Sequence, residues 1–228
     1  MMGHWATVAT PLDHYVLPPR IRFDETSPTL VLLHGRGSTA KDLLPISQTL
    51  RNQNFLVLAA QAPYRLAAPF GTGYAWYHID HFGEPEPRSL DASSKQLQRF
   101  LEAAVDRYTI DTQRMFILGF SQGAVMALGV GTKNPSCFGG VVALSGYLPA
   151  TLVPTCGLNL QKLAVFLGHG TTDMIVPVAA GRKARDTLVA RGVDISYREY
   201  HAGHQVTPIE VEHVSRWLSN RLDQIPPD

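Results

Sequence analysis

Cysteine is nearly absent from this sequence of 228 residues, which contains only Cys137 and Cys156. The two residues form neither a C-x-x-C pair nor the ligand spacing of a zinc site, so the sequence gives no support to a redox motif or a zinc module. Both fall near apolar segments, and we expect two reduced, mostly buried thiols. A disulfide between them is left open.

Net charge is also small, because 20 Lys and Arg oppose 19 Asp and Glu to give a formal charge of +1. The basic residues form no dense cluster, so electrostatic capture of nucleic acid or of an anionic membrane has no support. A small, neutral substrate fits this composition better.

Long apolar runs are missing as well. No stretch reaches the roughly 18 residues of a membrane span, and residues 1–10 lack the basic start and apolar run of a signal peptide. The cytoplasm is therefore the expected compartment. The length, with 45% hydrophobic residues, predicts one α/β domain over residues 1–228 with its core at about 12–222.

Short apolar segments alternate with longer amphipathic ones along the chain. This pattern predicts a mainly parallel sheet with helices on both faces. The predicted strands are residues 29–33, 55–59, 114–118, 140–144, 163–167 and 194–200, with a weaker one at 13–17. Helices are predicted over residues 90–108, 122–132 and 178–191, the last of these ending at Gly192, and a final helix opens with the capping box Thr207-Pro208-Ile209-Glu210.

The segment Gly119-Phe120-Ser121-Gln122-Gly123 joins a predicted apolar strand to a predicted apolar helix. A G-x-S-x-G turn in that setting holds a serine hydroxyl above the sheet, and its glycines permit close packing of strand and helix. We therefore predict that Ser121 is a nucleophile. The alternative is a glycine-rich turn with a purely structural role.

A serine hydroxyl is a poor nucleophile until a neighbouring base removes its proton. In an α/β-hydrolase the acid and the histidine follow the serine in the chain, each just after a strand. Asp173 follows the strand that ends at residue 167, and His204 follows the strand that ends at residue 200. These two residues are predicted to complete a Ser-Asp-His triad.

Other aspartates suit this role less well. Asp186 lies inside a predicted helix, Asp194 begins a strand, and Asp111 precedes the nucleophile. A loop aspartate such as Asp173 is also often just a solvated cap, and that alternative stays open.

The main rival of His204 is His201, three residues earlier. We favour His204 because Gly203 would permit a turn that aims it at Ser121. His213 is expected on the solvent side of the last helix.

The segment Leu32-Leu33-His34-Gly35-Arg36-Gly37-Ser38 contains the end of the strand predicted at residues 29–33 and the loop after it. A tetrahedral intermediate needs two backbone N–H donors, one after the nucleophile and one from this loop. We assign the N–H groups of Gln122 and Arg36 to this oxyanion hole, and expect His34 to be a structural histidine. A glycine-rich connection without a catalytic role is the alternative.

Two stretches without regular pattern, residues 61–88 and 147–159, are long enough to suggest functional loops. Within the first, Phe70, Tyr74, Trp76 and Tyr77 are predicted to border the substrate pocket, although an aromatic cluster under the loop would look the same. His78, Asp80 and His81 are not taken as a metal site, because no fourth ligand is evident and the mechanism needs no metal.

Taken together, these segments resemble the phospholipase/carboxylesterase family of α/β-hydrolases, which includes acyl-protein thioesterases and small bacterial carboxylesterases. The resemblance covers about residues 29–218. It rests on Leu33-His34-Gly35-Arg36-Gly37, Ala60-Gln61-Ala62-Pro63, Trp76-Tyr77, Gly119-Phe120-Ser121-Gln122-Gly123, Leu144-Ser145-Gly146, His169-Gly170 with Asp173, Val176-Pro177 and Gly203-His204.

The resemblance implies a cofactor-free hydrolase of carboxylic esters or thioesters with no large lid domain. It also implies oxyanion donors at the positions of Arg36 and Gln122. One departure concerns the substrate pocket: many family members carry an acidic residue shortly after the His-Gly-x-Gly segment, where this chain has Ser38-Thr39-Ala40. The Arg36 side chain is expected to point to solvent.

The expected function is a serine carboxylesterase acting on small esters. The short connection between residues 145 and 163 leaves little material for a lid, which favours small substrates over long lipids. Acyl-thioesterase, lysophospholipase, acyltransferase and peptidase activities use the same triad and stay open, as does a hydrolase-fold protein that binds a ligand without turning it over. A homodimer is possible, although no interface is evident.

Overall fold

The apolar segments form the centre of the computed structural model, which describes residues 3–6, 10–20, 27–50, 54–67, 73–81, 84–154 and 159–225. The strands are β1 (His4–Trp5), β2 (His14–Leu17), β3 (Thr29–Leu33), β4 (Leu56–Ala60), β5 (Tyr64–Arg65), β6 (Tyr74–Ala75), β7 (Met115–Phe120), β8 (Gly140–Leu144), β9 (Ala164–Gly170) and β10 (Asp194–Tyr200). The helices are α1 (Leu44–Thr49), α2 (Pro87–Tyr108), α3 (Gln122–Lys133), α4 (Val178–Val189) and α5 (Pro208–Asp223).

Within the described residues, eight strands form one sheet in the order β1-β2-β4-β3-β7-β8-β9-β10. The strands from β4 to β10 in this order run parallel, and β1 and β2 add an antiparallel edge. β5 and β6 form a separate antiparallel pair. The fold is that of an α/β-hydrolase, as the sequence predicts.

Helices cover both faces of the sheet, which explains why the central strands are apolar at consecutive positions. Every residue of β3 and β8 is buried. On one face, α2 and α3 pack against the sheet through side chains such as Leu97, Phe100 and Val125. On the other face, Val214 and Leu218 of α5 are fully buried together with residues from the α1 region.

The parallel strands place their carboxyl ends at one edge of the sheet, where the predicted catalytic loops follow β3, β7, β9 and β10. Two helix boundaries agree with the sequence analysis, one at each edge of the sheet. Thr207 and Glu210 form the predicted capping box of α5, and Gly192 has the predicted positive φ, +77°. The loop that carries His204 therefore runs directly into a capped helix.

Some expectations differ from the structure. Cys137 is exposed rather than buried, because it lies in the turn after α3, and Cys156 lies outside the described residues. His213 is only half exposed, since its ring contacts Tyr200.

None of the helices described is both long and apolar enough to cross a membrane.

Candidate active site

Ser121 occupies the tight turn between β7 and α3 with φ +55° and ψ −119°. Such a conformation is strained for a residue with a side chain. The glycines on either side are required by close contacts rather than by their torsions. A Cβ at Gly119 would lie 2.1 Å from the carbonyl oxygen of Gly123, and a Cβ at Gly123 would lie 2.0 Å from that of Leu33.

The structure brings Ser121, His204 and Asp173 together although they are far apart in the chain. The Oγ of Ser121 lies 2.9 Å from Nε2 of His204, and Nδ1 of His204 lies 2.7 Å from Oδ2 of Asp173. A carboxylate only accepts hydrogen bonds, so this network places the imidazole proton on Nδ1 and leaves Nε2 to accept from the serine hydroxyl.

Asp173 is buried, at 5% exposure. Its Oδ1 accepts hydrogen bonds from the backbone N–H groups of Ile175 at 2.9 Å and Val176 at 2.8 Å. Burial alone would raise the pKa of this carboxyl, but the hydrogen bonds from His204, Val176 and Ile175 outweigh that effect and lower it. Asp173 is therefore ionised at neutral pH and holds the imidazole by a charge-assisted hydrogen bond.

Of the two histidines in this loop, His204 and not His201 lies against Ser121. His201 is exposed, whereas the side chain of His204 is 18% exposed and its ring packs on Phe120 with the centroids 4.9 Å apart. The reason given for favouring His204 was wrong. Gly203 has no positive φ, and a Cβ there would meet nothing closer than the carbonyl oxygen of Thr172 at 4.0 Å.

His169 is a buried residue of the site to which the sequence analysis gave no role. Its Nε2 donates to the carbonyl oxygen of Val176 at 2.8 Å and lies 3.7 Å from Oδ2 of Asp173. Gly181 of α4 leaves room for the ring, because a Cβ there would lie 2.5 Å from its Nδ1. His169 thus fixes the loop that carries the acid. Its place next to a strand end in His169-Gly170 was the only signal in the sequence.

The loop after β3 lies against the nucleophile. A Cβ at Gly35 would be 3.4 Å from the Cβ of Ser121, so the next residue, Arg36, stands beside the serine. The Arg36 residue is exposed. Among the described residues, no backbone carbonyl accepts from the N–H of Arg36 or of Gln122. Gln122 directly follows Ser121 in the chain, and Arg36 directly follows Gly35, the residue that lies against the serine.

His34 holds this loop in place. Its Nε2 accepts hydrogen bonds from the N–H of Ala62 at 3.1 Å and the amide of Gln61 at 3.0 Å, while its Nδ1 donates to the carbonyl oxygen of Gly35 at 2.7 Å. Burial lowers the pKa of His34, so the ring is neutral at pH 7. A neutral imidazole can donate from one nitrogen and accept at the other, as these bonds require.

Residues 74–77, which we call the aromatic segment, contact the same loop from the other side. Tyr74 accepts from the N–H of Gly37 at 2.8 Å and donates to the carbonyl oxygen of Ser38 at 2.9 Å, both through its backbone. The indole N–H of Trp76 donates to the carbonyl oxygen of His34 at 2.8 Å. This segment therefore positions the loop that carries Arg36.

The predicted pocket residues occupy different environments. Trp76 and Tyr77 are buried at 0% and 2% exposure, and Tyr74 is half-buried. The backbones of Trp76 and Tyr77 are hydrogen-bonded to the side chain of Gln122. Phe70 lies outside the described residues. That these rings border a substrate remains a prediction.

The described part of the chain contains no group of three or more His, Cys, Asp and Glu side chains arranged to hold a metal ion. The side chains at the centre of the site are a hydroxyl, an imidazole and a carboxylate linked in series. This arrangement can move a proton away from Ser121 and carries out acyl transfer in many enzymes.

Comparison with known proteins agrees with this chemistry. The sequence matches a model of the phospholipase/carboxylesterase family over residues 22–222. It is 26% identical over 208 residues to "acyl-protein thioesterase 1 homolog 1" of Dictyostelium discoideum, covering 86% of this chain and 91% of that protein. It is also 26% identical over 212 residues to a "probable carboxylesterase SOBER1-like" of Arabidopsis thaliana, covering 87% and 81%.

Among solved structures, the Bacillus cereus carboxylesterase superposes with a TM-score of 0.80 at 25% sequence identity. The alignment covers 92% of this chain and 94% of that one. The similarity therefore extends over nearly the whole of both chains.

Proposed function

Because this chain belongs to the phospholipase/carboxylesterase family of α/β-hydrolases, we propose that it is a serine carboxylesterase that hydrolyses small carboxylic esters through an acyl-enzyme on Ser121. The observation that carries the proposal is the series of two hydrogen bonds from Ser121 to His204 at 2.9 Å and from His204 to Asp173 at 2.7 Å.

In the first step, Nε2 of His204 takes the hydroxyl proton as Oγ of Ser121 attacks the ester carbonyl carbon. Asp173 stabilises the imidazolium that forms. The tetrahedral intermediate collapses, the C–O bond to the alcohol breaks, and His204 gives its proton to the leaving alcohol. In the second step water attacks the acyl-enzyme, His204 takes its proton, and Ser121 recovers that proton as the acid leaves.

The oxyanion is assigned to the backbone N–H groups of Arg36 and Gln122. Gln122 directly follows Ser121, Arg36 follows Gly35, which lies against the serine, and the loop of Arg36 is held on two sides by His34 and by the backbone of Tyr74. A donor fixed before the reaction needs no reorganisation when charge develops, and each one typically lowers the barrier by about 3 kcal/mol.

Thioester hydrolysis is the second candidate, because relatives of this chain are named both as carboxylesterases and as acyl-protein thioesterases. The triad performs both reactions. A pair of substrates with the same acyl group on an oxygen or a sulfur leaving group of matched pKa would separate them by kcat/KM. A series of p-nitrophenyl esters of increasing chain length tests the preference for small acyl groups, and a maximum at long chains would contradict it.

The direct experiment is labelling with a fluorophosphonate, followed by mass spectrometry of the modified peptide. We expect one label, on Ser121, and a loss of esterase kcat on the order of 10³-fold or more in Ser121→Ala. The matched control is Ser145→Ala, a buried serine at the end of the neighbouring strand. Full esterase activity in Ser121→Ala would refute the assignment. Absence of labelling and turnover in the wild type would favour a binding protein.

A further inference from the structure

A groove with a volume of about 810 Å³ lies on the face of the sheet covered by α2, α3 and α4. One wall is α4, the opposite wall is residues 147–154, and the residues that lead into α2 close it near the sheet edge. We call it the α4 groove. Five prolines line it: Pro85, Pro87, Pro149, Pro154 and Pro177. Because proline fixes its own φ, these walls are shaped before any ligand binds.

One end of the α4 groove borders the reacting serine. Tyr147, in the groove wall, directly follows Gly146, where an added Cβ would lie 3.4 Å from the carbonyl oxygen of Ser121. Ile175 and Val176, also in the wall, are the residues whose N–H groups hold Asp173. The triad residues themselves do not line the groove, so a chain attached to the carbonyl carbon at Ser121 would reach it at this inner end, past Tyr147 and Ile175.

One face of α4 follows the groove away from the triad. Ala180, Lys183 and Thr187 line it from a single stripe of the helix, because they are spaced by three and four residues. Arg191, which lies in the turn after α4, also lines it. With a rise of about 1.5 Å per residue, Lys183 lies about 5 Å and Thr187 about 10 Å beyond Ala180 along the helix axis, and Arg191 follows the end of the helix. Two cations thus stand at increasing distance from Ser121.

These two cations have no carboxylate partner. Within the described ranges, no Asp or Glu oxygen comes within 4.0 Å of Lys183 or Arg191. The arginines on the other side of α4 are paired with carboxylates. Arg182 lies 2.7 Å from Glu199, and Arg185 lies 2.8 Å from Asp186. The arginines that face away from the groove are therefore paired with carboxylates. Lys183 and Arg191 are not, and the guanidinium of Arg191 donates to the carbonyl oxygen of Thr187 at 3.2 Å.

The inner end of the groove has the opposite charge. Glu84 lines it there, and its charge raises the pKa of the Tyr147 hydroxyl in addition to the larger effect of burial. A substrate anion close to the ester carbonyl would be repelled by Glu84. The charge order along the groove, acid near the triad and cations farther out, fits a ligand that is neutral at its reacting end and anionic at its distal end.

From this arrangement we infer that the α4 groove selects esters whose chain ends in a carboxylate, and that Lys183 and Arg191 bind that distal group. The inference rests on the proposed function and names its substrate class. It differs from the neutral substrate that the net charge of +1 predicts, because recognition depends on local rather than total charge.

The test compares pairs of p-nitrophenyl esters of dicarboxylic acids, in which the distal group is either the free carboxylate or the primary amide of the same length. We expect kcat/KM to favour the carboxylate by about 1.5- to fivefold at low salt, the size that exposed ion pairs produce. The preference should fall as salt is raised from 0.01 to 0.5 M, because the Debye length then drops from about 30 Å to below 10 Å.

Variants assign the preference to the two cations. Lys183→Met and Arg191→Met should each reduce the carboxylate preference, and the double variant should abolish it, so that carboxylate and amide esters of the same length are hydrolysed with equal kcat/KM. Lys133→Met, an exposed lysine at the end of α3 that does not line the groove, is the matched control. A second pair of substrates carries the carboxylate or amide on the alcohol, and shows whether the acyl chain or the leaving group enters the groove.

The outcomes separate this inference from the proposed function. Equal rates for carboxylate and amide substrates on both the acyl and the alcohol side, or a preference that survives in the double variant, would overturn the assignment of the groove alone. If the wild type hydrolyses no ester and takes no fluorophosphonate label, the proposed function fails and this inference fails with it.

Discussion

Gln122 and Trp76 are joined by a hydrogen bond of 3.0 Å from the backbone N–H of Trp76 to Oε1 of Gln122. The same side chain donates from Nε2 to the carbonyl oxygen of Tyr77 at 3.0 Å. Gln122 therefore has two separate tasks: its backbone N–H is the proposed oxyanion donor, and its buried side chain ties the aromatic segment to the nucleophile turn. The segment in turn holds the loop of Arg36.

Replacing Gln122 by Leu tests this second task, because the backbone N–H stays while both side-chain bonds are lost. The N–H of Trp76 and the carbonyl of Tyr77 would then be buried without partners, at about 1–3 kcal/mol each. We expect a loss of about 2–4 kcal/mol in the free energy of unfolding, measured by urea denaturation. Gln98→Leu, at an exposed position of α2, is the control. Unchanged stability in Gln122→Leu would contradict the structural task.

Two glycines of the site should respond very differently to alanine. In Gly123→Ala the new Cβ meets the backbone oxygen of Leu33 at 2.0 Å, and neither the strand nor the helix can move away without repacking the core. We expect loss of soluble protein or a Tm lower by several degrees. In Gly203→Ala the Cβ has space, so stability and the His204 geometry should persist. A similar loss of stability in Gly203→Ala would contradict the open space at this position.

Asp173→Asn probes the electrostatic part of the triad. An amide keeps the shape but cannot stabilise an imidazolium, and it favours the wrong tautomer of His204, so kcat should fall on the order of 10³- to 10⁴-fold. The pH dependence of the free energy of unfolding gives a second test. Because the pKa of Asp173 is lowered in the fold, the wild type should lose this contribution as pH falls through that pKa, and the variant should not. A kcat near that of the wild type would remove Asp173 from the mechanism.

The sequence predicted the central strands well because burial on both faces forces continuous apolar runs. The bounds of the buried strands β3 and β8 agree residue for residue with the prediction. Those of β10 agree as well, although it is a partly exposed strand at the edge of the sheet. α1 was not predicted, because it has only six residues with a proline in its first turn, too few for a periodic pattern. β5 and β6 have two residues each and give no periodic signal at all.

The site was predicted unevenly for a related reason. The positions of Ser121, Asp173 and His204 after strand ends follow from topology alone, and the structure brings them together as that reasoning requires. Exposure does not follow from topology, so the sequence could not show that Trp76 and Tyr77 are buried. The α4 groove combines α4 with residues 147–154, which are separated by a whole strand, and only tertiary packing makes them neighbours.

Glu210 provides the last test, a stability that depends on pH. This residue is 2% exposed, and its Oε2 accepts from the N–H of Thr207 at 3.3 Å, three residues after His204. Its Oε1 has no hydrogen-bond partner among the described residues, and Gly168 gives it space, since a Cβ there would lie 2.1 Å away. Burial raises its pKa to about 7, against only a weaker opposing effect from the Thr207 bond.

The sign of the effect follows from proton binding. Between the unfolded pKa of about 4.5 and the folded pKa of about 7, the folded state holds a proton that the unfolded state has released, so the free energy of unfolding falls as pH rises through this window. Above pH 7 the accumulated cost is about 3 kcal/mol. Glu210→Gln keeps the acceptor for Thr207 and removes the ionisation. Urea denaturation should therefore find the variant close to the wild type at pH 5 and more stable by up to that amount at pH 8.

Glu212→Gln, at an exposed position paired with Arg216, should show no such trend. A difference between Glu210→Gln and the wild type that stays constant from pH 5 to pH 8 would mean that Glu210 does not titrate in this range.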